Sequence, residues 1–205
     1  MSAPTPVAAQ GSLVNRAKAM LLQPNAEWRV IDAEPASVGS LYTGYVLILA
    51  AVHPLCFALR GLTGYRDIGL FAGFGAGWVI RAAVAMYIQN LIFPYLAALV
   101  IDALAPSFGA QKNQMQALKL TVYSSTAVWI SGVFMLVPGL GSLLLLAGAL
   151  YSAYTFFLGV PVMTKAPADR AIGYTIVSFI ASIVVLFVVS MVIGAITGRG
   201  GWGYM

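Results

Sequence analysis

The chain has 205 residues, of which 60% are hydrophobic and only 8% charged, with a mean hydropathy of +0.90 and a formal net charge of +5. Soluble domains carry about 25% charged residues, so this composition excludes an ordinary water-soluble globule. The positive charges stand singly at the ends of apolar runs, not clustered in a basic stripe. This favours membrane orientation over nucleic-acid binding.

Residues 1–11 are rich in Ala, Pro and Gln and are expected to be disordered. Ser12 is placed to cap a short helix, SLVNRAKAMLLQ. Leu13, Val14, Ala17, Met20 and Leu21 recur at helical spacing, and Arg16 and Lys18 fall off that face. Pro24 is a natural stop. A basic amphipathic helix ahead of a first span is expected to lie on the membrane surface; docking on the protein's own loops is the alternative. In the following PNAEWRVIDAEPAS, Trp28 suits the headgroup level, and Glu27 and Glu34 are expected to pair locally with Arg29. Arg16, Lys18, Glu27, Trp28 and Glu34 are therefore the candidate contacts to lipid or to a cytosolic partner. No cleavable signal sequence is apparent in this acid-containing segment.

Five long apolar stretches follow: Leu41–Leu59, Ala82–Leu104, Leu120–Val137, Leu140–Val160 and Ile172–Thr197. At about 1.5 Å per residue each reaches across a hydrocarbon core of about 30 Å. Backbone polar groups within a bilayer must be satisfied internally, so the spans are predicted to be helices. The expected fold is an all-α polytopic transmembrane bundle of five spans. A cytosolic segment of residues 1–40 precedes the membrane domain of residues 41–198, and residues 199–205 form a glycine-rich tail.

Lys and Arg counts between spans set the orientation. With the N-terminus cytosolic, that side holds Arg16, Lys18, Arg29, Lys112, Lys119, Lys165 and Arg170, against Arg60, Arg66 and Arg199 outside. Seven against three predicts N-in, C-out. Between the first two spans, Gly69, Gly73 and Gly77 recur every four residues, a face on which another helix, within the chain or across a homo-oligomer, can approach closely. The LVPGLG turn folds the third and fourth spans into an antiparallel hairpin. In the last span Ser178, Ser182, Ser190, Gly194 and Gly198 form a small-residue ridge.

Polar residues inside spans are functional hypotheses, because burying them in lipid is costly. His53, Arg81, Gln89, Asn90 and Tyr123 either line a cavity for a small solute or make interhelical hydrogen bonds. His53 precedes Pro54, whose ring leaves a backbone carbonyl to be satisfied by the imidazole or by another helix. Arg81 and Asp102 lie about 32 Å apart on one helix, so each is expected to snorkel to its own interface. His53 and Cys56 share a face, but the chain has no further His or Cys, so no metal or other cofactor is predicted. Nucleotide-binding and hydrolase motifs are absent and no catalytic pair stands out, so no enzyme activity is predicted.

The stretches RAKAMLLQPNAEWRVIDAEP, KLTVYSSTAVWISGVFMLVPGLGSLL and YSAYTFFLGVPVMTKAPADRAIGYTIVS, in this order, resemble the bacterial branch of the Yip (Ypt-interacting protein) family. The resemblance rests on Pro24, Trp28, Glu34, Tyr123, Pro138, Gly141, Met163, Pro167, Asp169, Gly173 and Tyr174. It implies five transmembrane helices, a cytosolic N-terminus and a bacterial inner-membrane location. The acidic stretch typical of the Rab-binding eukaryotic members is missing, so the implied role is a non-catalytic scaffold or adaptor touching lipid headgroups or an unidentified protein partner. A channel or transporter is the alternative.

Overall fold

The computed structural model describes residues 12–63, 75–137 and 139–196, and among them the regular structure is entirely helical. Helix α1 (Leu13–Leu22) begins where the Ser12 hydroxyl accepts the Asn15 amide. Pro24 ends it and also opens α2 (Pro24–Ala33), since a missing N–H costs nothing at a first helical position. The Ser37–Ser40 capping box then starts α3 (Val38–Leu41). A π-helical turn (Tyr42–Val46) carries it into α4 (Leu47–Leu62), giving one continuous rod, Val38–Leu62. The remaining helices are α5 (Ala76–Leu104), α6 (Gln114–Ser124), α7 (Thr126–Ser131), α8 (Gly141–Thr164) and α9 (Ala168–Ile196).

Among the described residues four helices are long and apolar enough to cross a membrane: Val38–Leu62, Ala76–Phe108, Gly141–Thr164 and Ala168–Ile196. The predicted third span, Leu120–Val137, is not a single helix of that kind. It is divided into α6, α7 and a 3₁₀ stretch, Gly132–Leu136. The cause is local chemistry. The hydroxyls of Ser124, Ser125 and Thr126 donate back to the carbonyls of Leu120, Thr121 and Tyr123, and the Ser125 amide tightens onto Val122.

Cross-contacts give the direction of each rod. Tyr45 and Thr126 share a hydrogen bond of 2.7 Å, the Gly132 backbone abuts His53, and Arg60 donates to the Met135 carbonyl at 2.7 Å. The divided segment therefore runs parallel to the first rod. Helix α5 runs antiparallel to that rod, pairing Tyr42 with the Leu91 carbonyl and Tyr87 with that of Leu47. Helix α8 returns along the divided segment, with Ser152 against the Val128 amide and Gly148 against Ser131. Helix α9 returns along α5, pairing Tyr174 with the Ile101 carbonyl and Gln89 with Ser190. On the ridge of α9, Ser178 and Ser182 are buried; Gly198 lies outside the described residues. The outer faces of α8 and α9 expose Leu146, Leu150, Ile183 and Phe187, as helices solvated by lipid do.

Candidate functional site

The N-terminal segment folds back as a helical hairpin on one end of the bundle. Arg16 is only 6% exposed, on the docked face of α1 beside Ala17 and Met20, not off it as its spacing suggests. Its guanidinium forms ion pairs with Glu27 and Glu34 and lies 5.7 Å above the Tyr123 ring. Burial works against this charge, but Glu34 and Glu27 outweigh it and hold the guanidinium above its ordinary pKa. The two glutamates are thus committed to Arg16 rather than to Arg29, which is exposed.

A second buried cation, Lys119 of α6, is 4% exposed and donates to the backbone carbonyls of Ile31 and Glu34. Burial lowers its pKa, while Asp32 and Glu34 oppose that shift. Gln116 donates to Asp32 at 2.8 Å, and Lys165 forms an ion pair with the same carboxylate. Charges from α1, α2 and the turn after α8 therefore compensate one another, while Lys119 of α6 is held by backbone carbonyls.

Trp28 is completely buried instead of sitting among headgroups. Its indole N–H donates to the Thr155 carbonyl at 3.0 Å. The ring fits because Gly159 has no side chain: a Cβ there would come within 2.6 Å of the indole. Nearby, Tyr151 holds the end of α1 through the Leu21 carbonyl at 2.6 Å. The outward face carries Lys18 and Arg29 with Val14 (68% exposed) and Leu22 (67% exposed). The pocket left between hairpin and bundle, lined by Arg16, Glu34, Lys119 and Tyr123, has a volume of about 60 Å³, far too small for a lipid headgroup.

The polar span residues divide among separate sites. Asn90 donates its amide to the Ala50 carbonyl at 3.0 Å, the acceptor that the Pro54 ring leaves without a helical donor. Tyr123 belongs to the Arg16 cluster, stacked edge-on with Tyr45 at 4.9 Å. Arg81 is exposed at the opposite end of α5 from the hairpin. His53 and Gln89 do meet, in a cavity of about 690 Å³ that also takes in Phe57, Met86 and Ser190. Asp102 does not snorkel. Helix α9 packs across the end of α5, leaving Asp102 buried with its Oδ1 unpartnered. Of the glycine face, Gly69 and Gly73 lie outside the described residues, and Gly77 is exposed with open space around it. Among the described residues no cluster of His, Cys, Asp and Glu is suited to a metal.

Spacing alone missed Lys119, Gln116, Asp32 and Gly159. Lys119 carried the one available signal, a cation at the very edge of an apolar run.

A family model, Yip1 domain, matches residues 18–190, from the hairpin to the last helix. "Inner membrane protein YohC" of Escherichia coli strain K12 is 23% identical over 185 residues, covering 86% of this chain and 93% of that protein. Its counterpart in E. coli O6:H1 aligns with the same identity and coverage. No solved structure matches. Since the family match covers most of the sequence and takes in both hairpin and bundle, this chain is a member of the Yip1 domain family.

Proposed function

We propose that this Yip1-domain protein is a non-catalytic scaffold of the bacterial inner membrane, crossing it five times with the N-terminus cytosolic and the C-terminus outside. One observation supports the reading above others: the hairpin of α1 and α2 is tied to the bundle by the Arg16 guanidinium over Tyr123, by Trp28 and by Lys119. The outward face of Lys18, Arg29, Val14 and Leu22 is thereby held in a set position. Such a mixed basic and aliphatic face suits anionic headgroups or a cytosolic protein, at about 1 kcal/mol per cation near the surface. Arg16, Glu27, Trp28 and Glu34 contribute by holding that platform rather than by touching a ligand. Glu27, Glu34 and Asp32 are occupied by cations, which suits structure better than acid–base catalysis.

Five crossings with opposite termini follow if the divided segment counts as a span, since it runs alongside the first rod from Tyr45 to Arg60. The name of the E. coli relative supports the inner membrane. A solute pathway joining His53, Arg81, Gln89, Asn90 and Tyr123 is less well supported, because Asn90 and Tyr123 are engaged elsewhere and Arg81 is exposed at the far end of α5.

Photocrosslinking from positions 14, 18, 22 and 29 of the full-length protein in native membranes tests the proposal. Lipid adducts or one discrete protein adduct, lost in a Lys18→Glu/Arg29→Glu variant, are the expected result. Adducts to neither overturn it.

A further inference from the structure

The His53–Gln89 cavity has no part in the scaffold reading, and its chemistry is specific. It lies between α4, α5, α8 and α9, at about 690 Å³, within the range of small-molecule sites in helix bundles. The imidazole of His53 has no hydrogen-bond partner among the described residues. Gln89 spends one N–H on the Ser190 hydroxyl at 2.9 Å, and the Ser190 proton goes to the Leu186 carbonyl. One amide N–H and the carbonyl of Gln89 therefore remain, together with the two ring nitrogens of His53. Around these polar groups stand the Phe57 ring and three thioethers, Met86, Met135 and Met191. Thioether sulfurs and aromatic rings favour the edge and face of a planar ring.

One helical turn further along α8 and α9 lies a second cavity of about 240 Å³. Leu186 and Ala149 line the second cavity, each four residues from Ser190 and Leu145 of the first. Its walls include Phe93, Phe156, Phe179 and Ile183. The hydroxyls there are already engaged: Ser124, Ser125 and Ser182 donate to carbonyls of their own helices, Thr121 donates to the Pro94 carbonyl, and Ser152 accepts the Val128 amide. Among the described residues no Asp, Glu, Lys or Arg lines either cavity. A charged headgroup would find no counter-charge among these lining residues, which favours a neutral head.

We propose that this pair of cavities binds a neutral membrane lipid with a planar, carbonyl-bearing ring and an apolar tail, the chemistry of an isoprenoid quinone or its quinol. The ring lies between Phe57 and the three methionines, its oxygens take hydrogen bonds from His53 and Gln89, and the first tail units enter the phenylalanine-walled cavity. The assignment concerns binding only and does not depend on the hairpin surface.

The test uses the full-length protein in nanodiscs, an azido-benzoquinone photolabel and competition by decylubiquinone. Saturable labelling of α5 and α9 peptides around Gln89 and Ser190, competed by decylubiquinone, is expected. Gly194 lines the cavity, and a Cβ there meets nothing within 4 Å, so Gly194→Phe occupies the space without disturbing a packed seam. That variant is expected to lose at least tenfold in apparent affinity at unchanged melting temperature, and Gln89→Leu to lose a similar factor. Competition by geranylgeraniol but not by decylubiquinone would overturn the planar head in favour of a long-chain alcohol. Non-saturable labelling, or equal labelling of Gly194→Phe, would overturn the site itself.

Discussion

The side-chain amide of Asn90 supplies the hydrogen bond that Pro54 denies to Ala50. An interior proline usually leaves such a carbonyl to kink the helix or to seek water, and in lipid no water is available. Here the next rod provides the donor, so a defect in one helix becomes a joint between two. Asn90→Leu is expected to lower stability by about 1–2 kcal/mol, in the range of interhelical and buried hydrogen bonds. In a Pro54→Ala background the helix supplies its own N–H, and the same substitution should cost much less. Thermal unfolding in detergent of the four proteins of this cycle provides the measurement; zero coupling would sink the idea.

The Trp28 slot offers a second test. Trp28→Ala removes a fully buried indole, a loss of about 3–5 kcal/mol for a core aromatic. Because the ring anchors only the hairpin, the effect should appear as release of residues 12–36 to protease while the bundle stays folded. Gly159→Leu, whose side chain must displace the indole, is expected to give the same cleavage pattern.

Arg16 and Lys18 stand two residues apart with opposite roles. Arg16→Met strands two carboxylates in a part-buried site and is expected to cost about 3–5 kcal/mol. Lys18→Met at an exposed position should stay within about 0.5 kcal/mol. Adding Glu27→Gln and Glu34→Gln to Arg16→Met should recover much of the loss. Chemical unfolding of these variants decides it, and no recovery would mean the ion pairs are not the cause.

Two glycines separate packing within the chain from packing between chains. A Cβ on Gly132 would lie 2.4 Å from the Cα of His53, so Gly132→Val should force the divided segment off α4 and lower the melting temperature sharply. Gly77 faces open space, and Gly77→Leu should leave the melting temperature of the monomer unchanged. If the Gly69, Gly73 and Gly77 face joins two copies, Gly77→Leu will instead abolish a dimer seen by crosslinking in native membranes.

The topology has a direct assay. Alkaline phosphatase fused after Met205 should be active, and a green fluorescent protein at the same point should be dark. The reverse result would mean that the divided segment does not cross.

The helical rods were legible because apolar runs of twenty or so residues permit few other structures. The break in the third was not, although its cause is written in Ser124, Ser125 and Thr126. Hydropathy averages their polarity away, while the backbone responds to where each proton goes. In the hairpin, sequence proximity suggests Glu27 and Glu34 beside Arg29, whereas both pair with Arg16. Spacing shows neighbours along a helix; Arg16 finds Glu34 across a fold-back, and Trp28 finds a slot left by an absent side chain in α8. Asn90 was singled out for its polarity, and Pro54 for the carbonyl it frees. Only the packing of α5 on α4 revealed that they answer one another.

The contact from Trp28 to Thr155 spans 127 residues of chain. During synthesis at about 5–20 residues per second, the hairpin emerges roughly 6–25 s before the helix that receives it. Lys119 and Lys165, its other anchors, also arrive late. Until α8 has inserted, the Trp28 indole lacks its acceptor at Thr155 and its slot at Gly159 and remains available to solvent, chaperones and proteases. Seating of the hairpin therefore waits on insertion of the bundle through α8, which brings the last of its partners.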